Sequence, residues 1–182
     1  MKKLFLLAFA TTIYSNTFGQ IYWAKACEIS FFSPTSMENI SAVNKITKPL
    51  LNITTGDLQI KIIMNAFDFP KPLMKEHFNE NYAECEKFPN AFFKGKINET
   101  IDWTKEGEYK VTATGKLIIH GVEKDRTIEG TVTVKGQEIT LSSKFKFTFA
   151  DHNIKIPFLY SGIIPDFTDV KIDAVLEPYK KN

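Results

Sequence analysis

The chain has 182 residues, 23 Lys and Arg against 21 Asp and Glu, 43% hydrophobic and 24% charged residues. This is the composition of an ordinary globular protein and excludes a disordered or fibrous one. The charges nearly balance and Arg126 is the only arginine, so the concentrated basic field that grips a phosphate backbone is missing and nucleic acid is excluded as a partner.

The first nineteen residues carry Lys2 and Lys3, an apolar run from Leu4 to Ala10, and a more polar stretch that closes on Thr17-Phe18-Gly19. That is the layout of a secretory signal peptide, which predicts an exported protein, periplasmic or secreted, that begins at Gln20. The apolar run is far shorter than the roughly 20 residues a membrane-crossing helix needs, so no membrane span is expected. No repeat, low-complexity tract or linker divides residues 20–182, which read as one domain. Folding at this length hides roughly 70% of the unfolded surface, enough for a core without covalent staples.

Most of this domain alternates apolar and polar residues, the pattern of strands with one buried and one wet face. Strands are expected over 21–32, 41–48, 57–64, 91–99, 109–119, 123–135, 138–150 and 168–177. In the seventh, Ile139, Leu141, Phe145, Phe147 and Phe149 oppose Lys144, Lys146 and Thr148. Turn residues separate the segments, at 105–107, 120–125 and 135–137. The stretch 70–85 breaks the alternation: Met74, Phe78, Tyr82 and Cys85 recur at helical spacing, Pro72 suits a first turn, and Pro89 bars continuation. A single helix is therefore expected over 72–85, covering one opening or side of the sheet.

Eight antiparallel strands with apolar inner faces are best closed into a barrel, because closure removes exposed edges. An eight-stranded barrel has an interior wide enough to be filled by side chains or to hold one small ligand. Small residues among the large ones, such as Ala113, Gly115, Gly130, Ser143 and Ala174, provide room.

Three stretches carry a family resemblance: LMKEHFNENYAECEKFPNAFFKGKI at 73–97, GKLIIHGVEKDRTIEGTVTVKG at 115–136 and ADHNIKIP at 150–157. Together they resemble the YceI-like family of exported bacterial proteins. A helix bearing Glu76-His77-Phe78 is followed by Phe88-Pro89, and the segment from Leu117 to Thr127 turns at His120-Gly121-Val122. The resemblance implies an all-β, eight-stranded antiparallel lipocalin-like barrel with one inserted helix, holding an isoprenoid-like lipid. In that reading the ligand is lined by Ile29, Phe31, Ile60, Ile62, Phe78, Tyr82, Val111, Leu117, Ile119, Phe145, Phe147 and Phe149, with His77 as a polar contact. A monomer or weak dimer is expected.

Catalytic signals are sparse. There is no G-x-S-x-G elbow and no Cys–His motif. His77, His120 and His152 are too widely spaced to pair on one face, so no metal and no cofactor is expected. Two rivals to a carrier stand: a small lipid- or quinone-modifying enzyme using His77, and a filled barrel acting as a structural or interaction module. Cys27 and Cys85 both fall on apolar faces. Either they form a disulfide, which export permits, or they are independent buried thiols behaving as small hydrophobes.

Overall fold

A computed structural model describes residues 21–160 and 162–180. The signal peptide read at 1–19 lies outside the described residues. The chain forms β1 (Ile21–Ser33), β2 (Ile40–Asn44), β3 (Leu50–Asn52), β4 (Asp57–Ile63), α1 (Pro72–His77), β5 (Asn90–Ile97), β6 (Gly107–Ile119), β7 (Val122–Lys135), β8 (Glu138–Thr148) and β9 (Phe167–Pro178). Every strand pairing is antiparallel. Neighbours from β3 to β9 follow one another in chain order, and β1 joins β9 to β3. The result is a closed eight-stranded barrel. The extra strand β2 lies along the far half of the edge of β1 whose near half holds β3.

The strand expected over 41–48 is thus two short strands with a break. Asn44 causes it. Its side chain is fully buried, donates through Nδ2 to the carbonyl of Ile63 (3.0 Å) and accepts at Oδ1 from the amides of Ile46 and Thr47. These bonds turn the chain out of the ladder, as asparagine side chains do when they compete with backbone partners. Pro49 has no amide to give, but its carbonyl accepts from Ala24 and bridges the gap on β1.

Two devices bend the sheet enough to close. In β1 the register against β9 shifts between Ala24 and Ala26, so the inward face changes from Tyr22 and Ala24 to Cys27, Ile29 and Phe31. Such a bulge increases local twist and re-aims the strand. On the other side, Gly95 of β5 pairs with Gly115 of β6. A Cβ on Gly115 would stand 2.3 Å from the Cα of Gly95 and 2.3 Å from the carbonyl oxygen of Lys94. The two backbones meet because neither residue has a side chain.

The helix is shorter than the span expected over 72–85. After α1 the chain makes one π-helical turn over Phe78–Tyr82, in which the amide of Ala83 reaches the carbonyl of Phe78, and Glu84 adopts a left-handed conformation that ends it. Phe78 fixes this segment to the barrel. Its ring stacks on Phe31 of β1 at 5.5 Å and meets Phe69 at 5.1 Å and Phe67 at 5.7 Å. Aromatic contacts of this kind each contribute about 0.5–1.5 kcal/mol beyond their buried area.

Cys27 and Cys85 are free thiols, so the disulfide alternative is corrected. Cys27 lies partway along β1 opposite Ala174, where burial, with Asp173 and Glu28 nearby, pushes its pKa up to about 12. Cys85 lies beyond the helical segment, where its thiol faces Asn79 Oδ1 at 3.4 Å. A thiol so reluctant to ionise is a poor nucleophile for exchange.

The contact at Gly115 predicts that Gly115→Ala destabilises the fold by about 1–3 kcal/mol, the ordinary cost of overpacking. Chemical denaturation of the two proteins measures it, and an unchanged midpoint would show that the β5–β6 approach is not tight.

Candidate functional site: an apolar cavity in one half of the barrel

The barrel interior is divided along its axis. At the end bearing the start of β1, the inward residues Tyr22, Leu51, Val134, Ile139 and Leu176 are buried and pack together as core. Trp23, on the outer face of β1 near this end, meets Tyr179 edge-on and carries the Lys48 ammonium over its ring. In the other half the same strands enclose a cavity of about 370 Å³. One water needs only about 10–15 Å³ by that measure, so this is a ligand-sized space.

All twelve residues expected from the sequence to line a ligand border this cavity. From β1 and β4 come Ile29, Phe31, Ile60 and Ile62; from the helical segment, Phe78 and Tyr82; from β6, Val111, Leu117 and Ile119; and from β8 and its continuation, Phe145, Phe147 and Phe149. His77 borders it at the end of α1. His152 does not border it and Cys27 and Cys85 also stand outside it. The periodic signal missed residues from irregular segments: Met37 after β1, Phe88 before β5, and Ile154, Tyr160, Ile163 and Ile164 between β8 and β9. Segments without regular structure carry no alternation from which an inward side chain could be read.

The mouth is framed by these segments. Tyr160, Ile163 and Ile164 face inward, whereas Phe158 and Leu159 of the same loop are 94% and 85% exposed. Leu73 of α1 and Met37 are also exposed. No lysine or arginine borders the cavity among the described residues; its charged side chains are Glu38 and Glu129.

Two histidines hold the frame of the mouth together. His120 and Gly121 both have positive φ, the two-residue turn that joins β6 to β7. Gly121 is also required sterically, since a Cβ there would come 2.6 Å from the Phe88 ring. His120 pairs through Nε2 with Glu84 Oε2 at 2.7 Å and through Nδ1 with the carbonyl of His152 at 3.2 Å. Glu84 also accepts from Lys87, and hydrogen bonds from Lys87 and His120 hold its carboxyl below the usual carboxylate range.

His152 returns the contact. It is 1% exposed, lies against the Phe147 ring, and its Nδ1 faces the carbonyls of Ile119 (3.2 Å) and Val122 (3.1 Å). Burial is the main cause that pushes its pKa down, so at neutral pH the ring is uncharged and Nδ1–H is the donor to both carbonyls. His120 and His152 therefore lock the β6–β7 turn to the segment after β8. Their bonds are structural, and the carboxylate beside His120 is already held by Lys87. Among the described residues, no group of three or more His, Cys, Asp or Glu side chains is placed to hold a metal ion.

Comparison with protein families matches the YceI-like domain over residues 24–176. The chain belongs to the YceI-like family. Among solved structures it is similar to a polyisoprenoid binding domain from Saccharophagus degradans implicated in plant cell wall breakdown, with a TM-score of 0.77 at 14% identity over 87% of this chain and 98% of that one. Burkholderia cenocepacia BcnA superposes with a TM-score of 0.64 at 17% identity, over 82% of this chain and 95% of that one. A Campylobacter jejuni YCEI protein gives 0.54 at 15% identity with both chains covered completely. No curated protein matches the sequence. At these identities the likeness establishes the shared barrel.

The lock predicts a pH effect with a definite sign. Because the folded His152 has a pKa below its ordinary value near 6.5, the unfolded chain takes up this proton first as pH falls. The stability from a neutral His152 is complete above about 6.5 and is lost as pH falls through the folded pKa. Denaturation at pH 7.5 and 5.5 should show a loss in the wild type that is smaller in His152→Phe. Equal losses would mean that the buried ring is not the source.

Proposed function

We propose that this YceI-like barrel is an exported carrier or sequestering protein for an apolar, isoprenoid-like chain, performing no chemistry and acting as a monomer or weak dimer. The observation that supports this most is the apolar cavity in one half of the barrel. The packed half shows that these strands can fill their interior with side chains, whereas on the mouth side Ala91, Ala113 and Ala174 face a space they do not fill. A dry apolar cavity forfeits the packing contacts that an apolar ligand restores. The S. degradans neighbour is itself described as a polyisoprenoid binding domain.

The size of the effect is sufficient. Burying about 400 Å² of prenyl chain at 25 cal/mol per Å² gives on the order of 10 kcal/mol gross, from which association and ordering costs are subtracted. Micromolar affinity needs about 8 kcal/mol net. Charged anchors are not required for binding, and among the described residues no lysine or arginine borders the cavity to provide one. Export is supported by the layout of residues 1–19 and makes a soluble container useful, since a prenyl chain does not cross an aqueous compartment unaided.

A narrow test uses Ala113, which faces the cavity from β6 between Val111 and Gly115. Ala113→Trp should place an indole in the space and reduce uptake of a fluorescent farnesyl or geranylgeranyl probe by at least about tenfold, with far-ultraviolet circular dichroism unchanged. Undiminished uptake by a folded Ala113→Trp protein would remove the interior as the binding site.

A further inference from the structure

The cavity wall has one polar spot that neither the packing nor the strand ladder explains. Thr168 of β9 is 5% exposed, lies on the cavity side of its strand with Val170 and Ile172, and borders the cavity. Its Oγ1 is the one buried side-chain oxygen or nitrogen among the described residues that has no hydrogen-bond partner. A buried hydroxyl left unpaired is costly, and native proteins keep such a group where something else satisfies it. Rotation about the Cα–Cβ bond carries the hydroxyl from one staggered position to another, so the same side chain can turn it toward a bound oxygen.

Thr168 is not isolated. The pairing of β1 with β9 runs to Phe32 opposite Asp169, so the next residue on β1, Ser33, comes beside Thr168. Ser33 is 2% exposed and also borders the cavity. Two buried hydroxyl residues thus stand together on the inner wall at the mouth end of the seam, opposite Phe147 of β8. Deeper walls are formed by Ile60, Leu117, Val132 and Ala174.

We propose that Ser33 and Thr168 form the subsite for the polar end of the ligand, and that this end is an uncharged oxygen group such as an alcohol or a ring carbonyl. The inference rests on the carrier reading and adds the chemistry of the head and its place. A hydroxyl donates one hydrogen bond and accepts others, which suits an alcohol or carbonyl oxygen. It does not neutralise a diphosphate, which calls for lysine or arginine; among the described residues neither borders the cavity, whereas the carboxylates of Glu38 and Glu129 do. The apolar tail then runs from the mouth toward Val132 and Ala174, and the head stays at the entrance.

The test compares three probes with one C20 chain: geranylgeraniol, the hydrocarbon lacking its oxygen, and geranylgeranyl diphosphate, each titrated into the full chain. The expected order of affinity is alcohol, hydrocarbon, diphosphate, with the alcohol about tenfold tighter than the hydrocarbon, the effect of one good hydrogen bond. Thr168→Val preserves shape and should bring the alcohol down to the affinity of the hydrocarbon while leaving hydrocarbon binding unchanged. It should also melt at or above the wild-type temperature without ligand, because it removes an unpaired group. Ser33→Ala gives an independent reading and should weaken the alcohol more than the hydrocarbon. Equal wild-type affinities for alcohol and hydrocarbon, tightest binding of the diphosphate, or variants that weaken both neutral probes equally would overturn the subsite and leave the carrier reading standing. Failure of all three probes to bind would overturn both.

Discussion

Closure of the sheet is the constraint on which the rest of the molecule depends. β1 pairs with β9 from Tyr22–Pro178 to Phe32–Asp169, and on its other edge holds β3 and β2 in succession. One strand therefore joins both ends of the barrel sheet, and the outer edge that remains is that of the short β2, where Val43 bridges to Asp68. The curvature this needs comes from local backbone features. The bulge at Ala24–Ala26 turns β1, and the glycine pair at 95 and 115 lets β5 and β6 approach at a distance that any Cβ would forbid.

Once the barrel is closed, side-chain volume decides what the interior is. Toward Trp23 the inward positions hold Leu51, Val134, Ile139 and Leu176 and the space is full. Toward α1 the alternation includes alanine and glycine among phenylalanines, and the space is left open. The mouth is shaped by segments that belong to no strand. They are held by Phe78 in its aromatic cluster and by the reciprocal bonds of His120 and His152. Function in this reading comes from a cavity whose rim is held by these side-chain contacts.

Much of this is legible in the sequence because a half-buried strand has only one way to alternate. The inward sets of β6 and β8 follow directly from period 2, and with them most of the cavity wall. The limits have physical causes. The break between β2 and β3 depends on Asn44 reaching the carbonyl of Ile63, nineteen positions away, which no local pattern encodes. The helix ends early because a π-helical turn and a left-handed Glu84 interrupt a stripe whose spacing continues to Cys85. Cysteines on apolar faces say nothing of distance, and Cys27 and Cys85 remain apart as free thiols. Thr168 was readable as a residue in a strand, but the missing partner of its hydroxyl is a property of the assembled wall.

The central claim is that the open half of the barrel exists to hold an apolar molecule. Native mass spectrometry of the protein purified from its native host without detergent tests it most directly, with organic extraction identifying whatever is released. The account predicts a discrete adduct, lost on extraction, whose fragments are those of an isoprenoid-like lipid, and its return when the extract is added back. A bare chain that takes up nothing from a total lipid extract of that host would contradict it.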